Sequence, residues 1–335
     1  MTRPLGQQVV VITGASSGIG RETALQLAVR GARITAVARG RGALETLAAE
    51  VERVGGDVHL VVGDVADHTT LERAAAETVE RFGRIDTWVN NAAVSVYATI
   101  EDLTVDEFRR VTDVNYLGQV HGVKAALPHL RAAGGGTIIN VGSALSERAV
   151  PLQAAYCAAK HAIKGFTEAL RVEMQREGSG IDVVFIEPSS MNTPLFDHAR
   201  SKMGVRPVPI PPIYEPRVTA KAIVHAAEHP VPVIATGGAS KLFTLVERLN
   251  PQLLDWWQLR GDRGARDQLS QEPDDGQDNL EQPMEDGGAV TGRFGRQSKA
   301  SSIYTELFEL HPERKNLAVL GALAALLLTV RRLGR

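Results

Sequence analysis

Short β-branched runs alternate with longer amphipathic stretches over the first three quarters of the chain. Val9 to Ile12, Arg33 to Ala38, Val58 to Val62, Arg84 to Val89, the TIINV run ending at Val141, Ile181 to Ile186 and VPVIATGG from Val231 are short and mostly apolar, and read as buried strands. Between them lie ETALQLAVRG, ALETLAAEVERVGG, residues 68 to 82, Thr104 to Ala132, the stretch with Ala158, Ala159, Ile163, Phe166 and Leu170, and Val218 to Glu228. These read as helices packed on one face. The alternation predicts a doubly wound parallel α/β sheet in one domain over residues 1–260, with ligands at the carboxyl ends of its strands. Ser240 to Asn250 and Gln252 to Leu259, the latter with Trp256 and Trp257, add two short helices.

The pattern then breaks. Between 267 and 289 the chain has eight carboxylates, no lysine or arginine, and Gly, Pro and Gln between them. So little apolar surface does not offset the entropy of ordering, so residues 261–300 read as a disordered acidic linker. Residues 301–335 form a helical tail. Its core, Leu317 to Val330, is fourteen residues, apolar all round, flanked by Arg314 and Lys315 before and by Arg331, Arg332 and Arg335 after. As a helix it would be about 21 Å long, short of a ~30 Å hydrocarbon core. Snorkelling cations narrow that gap, so 317–330 is a candidate membrane contact, with burial against protein as the alternative.

Composition narrows the partners. The formal net charge of -2 and the lack of a basic, aromatic-interleaved stripe give no reason to expect nucleic acid. A single cysteine, Cys157, excludes an intrachain disulfide and fits a reducing, cytoplasmic setting for the α/β domain. The N-terminus has no apolar run followed by a small-residue cleavage site, so no secretory signal is expected.

The first strand runs directly into Thr13-Gly14-Ala15-Ser16-Ser17-Gly18-Ile19-Gly20 and a helix. In that setting Gly14 permits a tight turn, Gly18 lets backbone N–H groups approach a pyrophosphate, and Gly20 lets helix and strand pack closely. The second strand ends at Ala38, then Arg39, with Arg41 beyond and no carboxylate before Glu45. A cation there pairs with the 2′-phosphate of NADP, whereas a carboxylate would suit the ribose of NAD, so NADP is expected and NAD is the lesser alternative. Elsewhere, Tyr156-x-x-x-Lys160 places a phenol and an ammonium on one helix face, about 6 Å apart along the axis. An adjacent cation brings a phenol's pKa down from ~10 toward a working range.

The loop at 13–20 resembles the TGxxxGxG signature of the classical short-chain dehydrogenases/reductases, and further matches follow in order over residues 8 to about 240. Asn90-Asn91-Ala92-Ala93 is similar to that family's NNAG segment, with Ala93 in place of glycine. Asn115 matches its catalytic asparagine, Ser143 lies thirteen positions before Tyr156, and Pro188 and Thr193 match a Pro-Gly-x-x-x-Thr pattern in which Ser189 replaces the glycine. The resemblance implies a Rossmann-type domain in which Ser143 orients the substrate oxygen, Tyr156 transfers its proton, Lys160 lowers the Tyr156 pKa and holds the ribose, and Asn115 maintains a proton relay. It implies cofactor contacts from Thr13, Gly14, Ser16, Ser17, Gly18, Ile19, Gly20, Arg39, Asp64, Val65, Asn90, Asn91, Ala92, Tyr156, Lys160, Pro188 and Thr193, and no metal. Residues 194–216, with six prolines, resemble the family's substrate-covering loop. The expected activity is hydride transfer between NADP(H) and a carbonyl or secondary alcohol substrate, lipidic if the tail is an anchor, in a homo-oligomer. A non-catalytic NADP-binding sensor tethered by its tail is the alternative.

Overall fold

In the computed structural model, which describes residues 2–284, 288–311 and 313–314, seven strands form one parallel sheet. They are β1 (Val9–Thr13), β2 (Arg33–Ala38), β3 (Asp57–Val62), β4 (Thr87–Asn90), β5 (Gly136–Val141), β6 (Ile181–Pro188) and β7 (Val233–Thr236), in the order β7-β6-β5-β4-β1-β2-β3. Every neighbouring pair is parallel. The order reverses at β1, whose neighbours are β2 and β4, and a ligand crevice opens at the carboxyl end of such a reversal.

Helices cover both faces, which is why the strand sequences are apolar without alternation. On one face Val10 and Ile12 pack with Leu27 of α1 (Gly18–Val29), Leu44 and Leu47 of α2 (Arg41–Arg53) and Ile223 of α7 (Pro216–Glu228). On the other, Val11 and Trp88 pack with Leu71 of α3 (His68–Phe82), Leu130 of α5 (Gly118–Ala132) and Leu170 of α6 (Ala154–Glu177). The caps follow local chemistry. Asp67 accepts the Thr69 N–H to start α3, and Gly83, in the left-handed region, ends it. The expected helix from Thr104 to Ala132 is divided into α4 (Val105–Thr112), begun by a Thr104/Glu107 capping box, a π turn over Asp113–Leu117, and α5. Asn115 sits in that π turn. Two helices, α8 (Gly238–Leu249) and α9 (Pro251–Leu259), follow as expected.

Residues 261–300 depart from the disordered linker expected of them: their described part lies on the α/β unit. Leu269–Pro273 pairs antiparallel with Val205–Pro207 of the proline-rich loop, and Leu280 is fully buried. Composition alone missed the reason. The acidic run meets cations from elsewhere in the chain, Asp275 on Arg206, Asp278 on Arg200, Glu281 near Arg110 and Glu272 on Arg293. Farther on, Thr305 and Glu309 bond to the edge strand β7, which covers an otherwise open edge. Among the described residues no helix is long and apolar enough to cross a membrane, and the apolar run 317–330 lies outside them.

Candidate active site

The glycine loop is wired to the exit of β4. Thr13 Oγ1 accepts the N–H groups of Asn91 (3.0 Å) and Ala92 (3.3 Å), while Asn91 Nδ2 donates to the carbonyls of Thr13 and Gly14. Gly14 has φ 67°, and a Cβ there would lie 2.7 Å from Ala92 Cα. Only glycine fits that turn. The loop therefore presents the N-terminus of α1 to the crevice between β1 and β4, a fit for a pyrophosphate.

A cavity of about 270 Å³ runs from this loop to the start of α6. Gly14, Ser16, Ser17, Gly18, Ile19, Arg39, Asp64, Val65, Asn91, Ala92, Ser143, Tyr156, Lys160, Pro188 and Thr193 all line it. Thr13 and Gly20 stand behind the loop and shape it. Asn90 does not reach the cavity. It is fully buried, accepts from Trp88 Nε1 (2.8 Å) and donates to Asn140 Oδ1 (2.9 Å), tying β4 to β5 where Gly122 leaves room for it. Asn115 is also fully buried. Its side chain accepts the Val94 N–H (2.8 Å) and donates to the Val94 carbonyl (2.9 Å), so it grips the backbone of a cavity-lining residue.

At the other end, Ser143 caps a short turn, Ala144–Ser146, with its Oγ accepting the Leu145 N–H (3.1 Å), and it hydrogen-bonds the Tyr156 phenol. Lys160 donates to the Val141 carbonyl (2.8 Å), and its Nζ lies 5.5 Å from the centre of the Tyr156 ring. The electrostatics differ from the sequence expectation. Burial raises the Tyr156 pKa to about 12, with the Ser143 bond opposing it, and burial lowers the Lys160 pKa to about 7. In this arrangement burial is the largest influence on the phenol, and the Lys160 ammonium lies over its ring, not beside its oxygen. Ser143 is the group that favours the phenolate.

The departure at Ser189 needs no left-handed backbone. Ser189 is not among the residues with positive φ; its N–H donates to Thr236, and Gly237 beside it makes the space, since a Cβ at Gly237 would lie 1.9 Å from Ser189 Oγ. Asp64 accepts the Ala66 N–H (2.9 Å) and lines the cavity. Several lining residues were not found from the sequence. Gln153 is one helical turn before Tyr156, a spacing that could have flagged it. Tyr97, His198, Gln268 and Asn279 have no local signal, and the last two come from the segment read as a linker. Gln153 and Gln268 are buried and joined to each other, with Gln268 also donating to the Pro151 carbonyl (2.9 Å). Leu145, Leu195, Phe196, Val208 and Ile210 give the same end an apolar wall.

Comparison with known proteins agrees with this geometry. A family model described as short chain dehydrogenase matches residues 8–204. The chain is 40% identical over 255 residues to "Uncharacterized oxidoreductase YxnA" of Bacillus subtilis (strain 168), covering 76% of this chain and 72% of that one. It is 38% identical over 206 residues to "Dehydrogenase/reductase SDR family member 7B" of Mus musculus, covering 60% and 63% respectively. Among solved structures, a short chain dehydrogenase from Mycobacterium paratuberculosis bound to NAD superposes with a TM-score of 0.63 at 27% identity, covering 70% of this chain and 97% of that one. An alcohol dehydrogenase from the archaeon Thermococcus sibiricus complexed with 5-hydroxy-NADP gives 0.59 at 27% identity, covering 68% and 94%.

Proposed function

The chain belongs to the classical short-chain dehydrogenase/reductase family, and on that premise we propose that it moves hydride between NADP(H) and a carbonyl or secondary alcohol. The observation that carries the reading is one continuous cavity with the glycine loop and Arg39 at one end and Ser143, Tyr156 and Lys160 at the other. When bound, the cofactor supplies or accepts the hydride; the chain supplies position and a proton. Tyr156 gives its phenolic proton to the substrate oxygen in reduction and takes it back in oxidation, with Ser143 directing that oxygen. Lys160 would hold the ribose and, when cationic, return a proton to the phenolate that the transfer leaves, to be reprotonated in turn from solvent. A relay through Asn115 would run by its main chain, because both ends of its amide are bonded to Val94. The apolar wall and the Gln153/Gln268 pair suit a largely apolar substrate with one polar group, and a homo-oligomer is expected.

Arg39 supports NADP over NAD, because its guanidinium lines the cavity where β2 ends and no carboxylate replaces it. Replacing Arg39 by Ala is expected to lower the ratio of NADPH to NADH affinity by about tenfold or more, the loss of a charge-assisted pair. Titration of both nucleotides by fluorescence checks it, and an unchanged ratio would remove Arg39 as the reader of the 2′-phosphate.

The pH profile of kcat/KM, which reports groups of the free enzyme, follows from the two displaced groups. Lys160 is cationic below about 7 and Tyr156 carries its proton below about 12. Carbonyl reduction needs both forms, so it is expected to be level in mild acid and to fall as pH rises through about 7. Alcohol oxidation needs the phenolate and gains with pH. A reduction profile that stays level from pH 6 to pH 9 would show that the charge on Lys160 does not govern the step.

A further inference from the structure

We infer that the acidic C-terminal segment competes within the molecule for the phosphate-binding half of the nucleotide cleft, as a strap that lifts from Arg39 and from the start of α1 before a dinucleotide seats. The inference rests on the reading above that this cleft takes NADP(H). Two described stretches, 278–284 and 288–294, run along the mouth of the cleft. At Arg39, Nη1 donates to the carbonyls of Leu280 and Glu281 (3.2 Å each) and Nη2 donates to that of Asn279. Oxygens converging on one planar fork is the arrangement a phosphate would take there. At α1, the Ala289 carbonyl accepts the Gly18 N–H at 2.8 Å, one of the donors that a helix start leaves without an intrahelical partner. Gly288 lies so close to the loop that a Cβ there would be 2.3 Å from the Ser16 carbonyl.

Strap and phosphate exclude each other for two reasons. One N–H does not serve a carbonyl and a phosphate oxygen at full strength, and the strap brings its own anions, Asp278 on Arg200 at 2.8 Å and Glu281 at 3.8 Å from Arg110, to the place where phosphate charge would arrive. The strap is nevertheless anchored. Leu280 is fully buried, Arg110 Nε donates to its carbonyl (2.9 Å), the Asn279 N–H donates to His198 (2.9 Å), and the Phe294 N–H donates to Asn192 Oδ1 (3.0 Å). A carbonyl accepts these bonds without a formal charge, whereas a phosphate adds its own charge opposite Arg39 and the α1 N–H groups, so a dinucleotide displaces the strap at the cost of apparent affinity. That cost equals the fraction of molecules in the open form.

The test uses the full chain and two variants that weaken the strap without touching the cleft's own donors, Leu280→Ser and the milder Asp278→Asn. Both are expected to tighten NADPH binding, by about tenfold if one molecule in ten is open in the parent. Addition of NADPH to the parent is expected to raise deuterium uptake at residues 279–281. Unchanged or weaker NADPH and NADH binding in both variants, or lowered uptake at 279–281 on adding NADPH, would overturn the strap. The two readings fail separately. Parent and variants that bind NADPH equally well remove the strap alone, whereas tightening for NADH with no preference for NADPH keeps the strap and removes the NADP assignment.

Discussion

Tyr156→Phe is expected to lower kcat by about a thousandfold while leaving NADPH affinity within about twofold, because general acid–base groups of this kind contribute roughly a hundred- to ten-thousandfold. The argument is geometric first. Tyr156 is buried, its phenol bonds to Ser143, and its ring lies under the Lys160 ammonium. Phenylalanine keeps the ring, and with it the contact to Lys160, so the wall of the cleft keeps its shape. What disappears is the hydroxyl that holds a proton at neutral pH, since burial keeps its pKa near 12. No neighbour replaces it. Tyr97 is buried and held above its ordinary pKa, and the Cys157 thiol is pushed up to about 11. The loss of one hydrogen bond costs about 1 kcal/mol, so thermal unfolding should move by only a few degrees. The measurement is turnover with NADPH over a panel of aldehydes and ketones, beside a fluorescence titration of the nucleotide. A variant that kept more than a tenth of the activity would mean that another group moves the proton.

The sheet was legible because its strands are buried on both faces, and a run such as Val9 to Ile12 has few other ways to bury four apolar side chains. The glycine loop and the Tyr156/Lys160 pair were legible because each depends on local spacing, whereas Asn115 and Ser143 entered only through the family resemblance. Three features were not. The π turn at Asp113–Leu117 hides inside an unbroken helical period, and only Asn115 hints at it. The burial that moves Tyr156 and Lys160 in opposite directions is tertiary, whereas a four-residue spacing shows only that the two meet. The acidic segment misled because composition reports what a stretch can bury by itself, and this one is held by cations at Arg39, Arg110, Arg200 and Arg206, contributed by three separate places in the chain. Gln268 entered the cavity by the same route.

Gly20→Ala is expected to destabilise the fold by about 1–3 kcal/mol and to weaken NADPH binding on the order of a hundredfold. A view confined to the helix predicts the opposite, since alanine is favoured over glycine inside a helix by roughly 1 kcal/mol. Packing decides between them. A Cβ at Gly20 would lie 2.2 Å from the Gly14 carbonyl oxygen and 2.6 Å from Asn91 Nδ2, and the first of these is backbone that does not rotate away. Overpacking of this kind costs about 1–3 kcal/mol, beyond what propensity returns. The loop cannot yield freely either, because Asn91 and Thr13 bind it to the exit of β4. Relief must therefore come from moving α1 away from Gly14, and that opens the N–H groups which are to meet the pyrophosphate. Gly42→Ala provides the control. It lies in the first turn of α2 with nothing within 4 Å of the added methyl, so alanine there should raise the midpoint of thermal unfolding and leave NADPH binding alone. If Gly20→Ala bound NADPH as the parent does, the loop from Gly14 to Gly20 would not be the seat of the pyrophosphate, and the contact between helix start and nucleotide would have to be sought elsewhere in the cleft.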